Sequence, residues 1–265
     1  YFEMERVAEA VLSSGMRAAL SRGITAGAPG KLEKSLQNNL DLAEKYHGRE
    51  GLITVQIGPH APYTVPIDFM KVICEAAKSH GLGIHFHFME TEGEKNNLGM
   101  SCSKYLEESG LFDVPYAALA HCVYLDTDIN LPENFTLVHN PSSNLKLASG
   151  VMPLEKWLDK DVSVALGTDG ASSNNRLDIW EEMRITALLH KGINKDPLCV
   201  SAVEALRMAT YEGAKAFGFS QKGMINEGWV ADLILINLDK PHYIGVNEEN
   251  LAQYLVYAGS SADIS

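Results

Sequence analysis

A chain of 265 residues with 46% apolar content suits one large domain, or one domain plus part of another, and can bury a sizeable core. Its formal net charge is −12, from 34 acidic against 22 basic residues, with no basic run or aromatic-interleaved basic patch. That balance argues against nucleic acid and anionic membrane as partners.

The chain opens into a helix over residues 2–13. Apolar runs then mark strands at 16–21, 52–57, 83–88, 116–122, 135–139 and 162–167. Their spacing averages about thirty residues, the length of a strand-helix unit. Amphipathic helices fall between them. In one, Phe69, Val72, Ile73, Ala76 and Ala77 recur at helical spacing, with Pro66 near the start and His80-Gly81 at the end. Another follows Asp178, with Trp180, Met183, Ala187 and Leu188 on one face and Lys191-Gly192 at its end. Residues 201–217 read as a helical pair, 223–230 is Gly-rich, and 231–238 reads as a strand entering a small β module. The expected division is therefore 1–222, a partial barrel domain, and 223–265, the start of a segment returning to a small β domain. Cys74, Cys102, Cys122 and Cys199 have no C-x-x-C spacing and read as structural thiols of a reducing compartment. With no run of membrane-spanning length and no visible signal peptide, the expected compartment is the cytoplasm.

Several apolar runs end in a residue with metal or proton chemistry. Val164-Ala165-Leu166-Gly167 ends in Thr168-Asp169-Gly170, and three other runs end at His87, His121 and His139. Buried parallel strands deliver side chains to one mouth in this way. Imidazoles plus one carboxylate there suggest a metal that activates water. His85 and His87 share one face of their strand, and Phe86 and Phe88 the other. His87 is the better ligand, and His85 lies a layer deeper. Glu90 lies just past the strand end, within reach of a substrate. His121 could bind metal or stabilise the attacked centre. His139 either joins the site or ties down the loop that follows it. Asp169 is the strongest single candidate, as ligand and general base. His60, in a loop stiffened by Pro59 and Pro62, is a candidate substrate contact.

In this order the motifs resemble the amidohydrolase superfamily, and within it the S-adenosylhomocysteine/5'-methylthioadenosine deaminases, with the s-triazine chlorohydrolases as neighbours. The residues that carry the resemblance are GPHAPYT (58–64), HFHFMETE (85–92), His121-Cys122-Val123, HNPSSNLKL (139–147), LGTDGASSNN (166–175) with Glu181-Glu182-Met183-Arg184 after it, and ADLILINLD (231–239). The resemblance implies an α/β fold, a (β/α)8 TIM-type barrel of the metal-dependent hydrolase kind, here without its first two strands. It implies one divalent metal, zinc first and iron second, with His87 and Asp169 as ligands. Glu90 would carry a proton to the ring nitrogen. His121 would stand beside the attacked carbon, and His60 would touch the substrate. Arg22 would lie near the ribose or amino-acid tail. Lys31 stands where such enzymes often have a second arginine, so it keeps the charge and loses the bidentate fork. The family's first strand brings an H-x-H pair with two further ligands, and no such strand precedes Tyr1.

The implied function is hydrolytic deamination of an adenine-type nucleoside: S-adenosylhomocysteine, 5'-methylthioadenosine or adenosine. Two alternatives remain. One is hydrolysis of another aminated or chlorinated N-heterocycle, such as guanine, cytosine or an s-triazine. The other is an inactive fragment lacking the H-x-H ligands. The expected partners are a small nucleoside or N-heterocycle and further copies in a homo-oligomer, because missing strands would expose sheet edges.

Overall fold

Strands that are apolar on both faces need cover on both faces, and parallel pairing with helical crossovers provides it. The computed structural model describes residues 3–265 and shows this pattern. Seven strands are present among the described residues: β1 (Ala18–Leu20), β2 (Gly23–Ile24), β3 (Ile53–Pro59), β4 (Gly83–Phe88), β5 (Ala117–His121), β6 (Phe135–His139) and β7 (Ser163–Leu166). The contacts divide the chain into two compact units. The first comprises Tyr1–Leu137 with Ala216–Phe219, the second Val138–Lys215 with Ser220–Ser265, and the boundary falls within β6.

In the first unit the strand order is β1-β3-β4-β5-β6, and β2 also pairs β3. The β1–β3, β2–β3, β3–β4 and β4–β5 pairs are parallel. In β4 the alternation holds: Phe86 and Phe88 are fully buried against Tyr105, while His85 and His87 are half-buried on the opposite face. The opening helix runs Met4–Ser14 and stops at Gly15 in the left-handed region; Phe2, included in the expected helix, lies outside the described residues. Helix Ile67–His80 follows β3 and ends on Gly81 at φ 67, as the Gly signal implied. Its buried face is Met70, Ile73, Cys74 and Ala77, while Val72 is exposed. The face is thus rotated from the expected one. Met and Cys fill it, which a pattern keyed to aliphatic and aromatic residues passes over.

The second unit holds the end of β6 and β7, joined where Gly167 N–H donates to the His139 carbonyl at 2.9 Å. Helix Ile179–Asn194 is capped by the Asp178 carboxylate, which accepts from Trp180 N–H. It runs past Gly192, and Leu188 is exposed rather than packed. The helical pair is present as Ala202–Ala209 and Tyr211–Ala216. The expected strand over 231–238 does not form. Only Ile236 bridges, antiparallel to Ile264, and Leu233, Ile234 and Leu235 are exposed. A strand is stabilised by neighbours on its edges, and this run has one bridge among the described residues. A buried Asp263 secures the segment instead. Its carboxylate accepts from Lys240, His242, Tyr243 and the Ser260 N–H, and the Lys240 ammonium holds that carboxyl well below the usual range.

Candidate active site

The first unit gathers four of the expected residues. His60 follows β3, His87 lies near the end of β4, Glu90 lies two residues past that strand, and His121 ends β5. The His60 and His87 rings are 5.1 Å apart, and those of His87 and His121 are 5.4 Å apart. A ring nitrogen of His87 and one of His121 lie within 4.8 Å of each other. His121 Nε2 is 3.7 Å from a Glu90 carboxylate oxygen. His87 Nδ1 lies 2.8 Å from the His60 carbonyl oxygen, which can only accept. The proton is therefore on Nδ1, and Nε2 presents a lone pair, the tautomer a metal ligand needs. His85 sits edge-on to Phe217, 5.3 Å away, consistent with its deeper layer.

The chain after β4 turns sharply, with Met89 at φ 55. A residue missed by the sequence reading, Glu94, holds that turn. Its buried carboxylate accepts from the N–H groups of Met89 and Glu90, at 2.9 and 3.0 Å. Burial pushes its carboxyl above the ordinary value, against the pull of those two donors. The T-x-x-E pattern at Thr91–Glu94 was the available signal. Thr91 does cap helix Glu92–Asn97, but the Glu94 side chain reaches further back than a capping box requires.

In the second unit Asp169 follows β7 at φ 59, a strained conformation for a non-glycine residue. Its Oδ2 accepts from the Ser143 hydroxyl at 2.7 Å. His139 is fully buried, and its Nε2 lies 3.1 Å from His190 Nε2. His190 Nδ1 in turn lies 2.7 Å from Glu155. His139 thus joins a buried imidazole pair, and sequence spacing gave no hint of His190.

Two expected substrate residues have local partners in the first unit. The backbone of Arg22 is bracketed by the Asn39 amide, which accepts from its N–H and donates to its carbonyl, each at 2.9 Å. Lys31 Nζ lies 3.1 Å from the Thr25 hydroxyl and 3.3 Å from the Ala26 carbonyl, folded over the loop before its own helix. The thiols are in apolar surroundings. Burial pushes Cys74 up to about 12 and Cys102 up to about 11, and Cys122 is also raised, which leaves none of these three a ready nucleophile.

A family model described as the amidohydrolase family matches residues 1–261 of the chain. The chain belongs to the amidohydrolase family. Among amidohydrolases, a 5-methylthioadenosine/S-adenosylhomocysteine deaminase of Dictyoglomus thermophilum is 45% identical to it, over 100% of this chain and 63% of that protein. An adenosine deaminase from Xanthomonas campestris, solved with bound zinc, matches it with a TM-score of 0.91 at 28% identity, covering 100% of this chain and 62% of the other. A triazine hydrolase variant matches with a TM-score of 0.87 at 25% identity, over 99% and 61%. The chain spans less than two thirds of the length of these relatives. The α/β fold class and the resemblance to the deaminases, both expected from the sequence, hold.

Proposed function

We propose that this chain is part of an enzyme that removes ammonia hydrolytically from an adenine-type nucleoside, with 5'-methylthioadenosine, S-adenosylhomocysteine and adenosine as the substrate class. The observation that carries the reading is the trio at the ends of β4 and β5: His87 with its Nε2 lone pair presented, and His121 beside Glu90. The names of the relatives point the same way.

One divalent metal, zinc before iron, would be held by His87 and Asp169. The donor set fits, because one imidazole is fixed in the right tautomer by a carbonyl and one carboxylate is held by a hydroxyl. When bound, such an ion lowers the pKa of a water toward neutrality. Asp169 would act as the general base that accepts a proton from the attacking water. Glu90 passes a proton to the ring nitrogen beside the attacked carbon, which relieves the charge that builds on the ring. His121 would steady the oxygen arriving on that carbon; the protonated Asp169 would hand its proton to the exocyclic amine, which leaves as ammonia, and Glu90 would recover its own from the new hydroxyl as the carbonyl forms. His60 contacts the substrate from the Pro59–Pro62 loop. Arg22 and Lys31 give positive charge toward the sugar or its tail. Residues 1–222 would supply the barrel part, and 223–265 the start of the return to a small β domain.

A panel of adenosine derivatives, guanine, cytosine and s-triazines, scored for ammonia and chloride release with zinc supplied, tests the assignment. Ammonia release from the adenosine derivatives is the expected result. Chloride release from triazines with no deamination would overturn it.

A further inference from the structure

The Asp169 turn is tied to one buried carboxylate that the mechanism above does not use. Glu182, in the first turn of helix Ile179–Asn194, is 1% exposed. Its Oε2 accepts from Ser142 N–H at 3.1 Å, and its Oε1 accepts from the Asn174 amide at 2.7 Å. That Asn174 amide nitrogen also donates to the carbonyl of Thr168, at 2.8 Å. Thr168 directly precedes Asp169. Ser142 directly precedes Ser143, whose fully buried hydroxyl donates to Asp169 Oδ2 at 2.7 Å. One route from Glu182 therefore reaches the backbone before Asp169, and the other reaches its side chain.

We infer that Glu182 is a positioning residue for Asp169, fixing both the strained backbone at that residue and the direction of its carboxylate. A carboxylate suits the place because it is acceptor-only, and both of its neighbours donate. A glutamine of the same shape cannot do this. Its amide nitrogen must face either the Ser142 N–H or the Asn174 amide, so a donor meets a donor in a buried place. Turning Asn174 over to relieve the clash would aim its oxygen at the Thr168 carbonyl. The bond lost frees one of the two routes, and the ligand atom gains freedom it did not have.

This inference rests on the proposed metal role of Asp169, so its test uses one readout with metal and one without. Zinc affinity is measured by chelator competition for the unsubstituted protein, Glu182→Gln, Asp169→Asn and the double variant. Partners of metal ligands typically change affinity by about 10- to 100-fold. We expect a loss of that size from Glu182→Gln alone and no further loss in the Asp169→Asn background. Unchanged affinity, or an equal loss in both backgrounds, overturns the inference, the second because it marks a general effect on the fold. Crystal structures of the zinc-free protein and of Glu182→Gln give the second readout. We expect the Ser143–Asp169 bond to be broken or the Asp169 φ to change; a turn identical to that of the parent overturns the inference. Zinc binding that is unaffected by Asp169→Asn would instead overturn the metal reading. If Glu182→Gln does not fold, Asn174→Ala, at the half-buried last residue of the short helix Ala171–Asn174, cuts the route to Thr168 alone and undergoes both measurements.

Discussion

Met89, His121, Cys122 and Asp169 all hold positive φ, at 55, 75, 50 and 59, where strands hand over to functional loops. Each such conformation costs on the order of 1–3 kcal/mol and persists only where neighbours enforce it. Glu94 enforces it at Met89. Replacing Glu94 with Gln should therefore place a donor against the Met89 or Glu90 N–H. We expect a loss of about 1–3 kcal/mol in stability, read from urea unfolding. We also expect a fall in turnover larger than any rise in KM, because Glu90 shifts with its turn. Turnover equal to the parent's would separate Glu94 from the site. Glu90 itself should tolerate Gln structurally and lose activity, since an amide cannot pass the proton. The placement of His60, His87, Glu90, His121 and Asp169 at or just past strand ends was legible in the sequence, because each sits at the end of an apolar run. Glu94, Ser143, Glu182 and His190 were not. Their roles depend on which backbone groups fold back to meet them, and no local pattern records that.

Strands β3 to β7 were legible as elements, since each is a buried run bounded by turn residues. The apolar run at 231–238 misled for the same reason: composition reports that a segment can pair, not that a partner is present. Gly167, between β7 and Asp169, is a place where the backbone must pass close to its neighbours. A Cβ there would lie 2.8 Å from Val138 Cγ1 and 2.9 Å from Asn140 Oδ1. Gly167→Ala should cost about 1–3 kcal/mol by overpacking between β6 and β7, read from the urea midpoint. A midpoint within error of the parent's would show that β7 shifts freely. Phe86, fully buried in β4 behind the two histidines, should cost about 3–5 kcal/mol as Phe86→Ala.

At the scale of the molecule, acid should act through a buried imidazole. Burial holds His190 below its ordinary value, against the pull of Glu155, so the folded protein keeps it neutral where the unfolded chain takes up a proton. Stability from this group is therefore full above about pH 6.5 and falls as pH drops through that value. Urea midpoints between pH 8 and pH 5 should decline in the parent, and the decline should be shallower in His190→Gln. An identical slope in both would place the acid sensitivity elsewhere. The charge of −12 was read as unfavourable to nucleic acid and anionic membranes, and no helix among the described residues is long and apolar enough to cross a membrane.

We have proposed that His87 and Asp169 are ligands of one cation. A crystal structure of the zinc-loaded protein, with an anomalous difference map at the zinc edge, tests it most directly. We expect a single strong peak about 2.0–2.2 Å from both His87 Nε2 and an Asp169 oxygen. A peak bonded to only one of them, or two separate peaks, would contradict it.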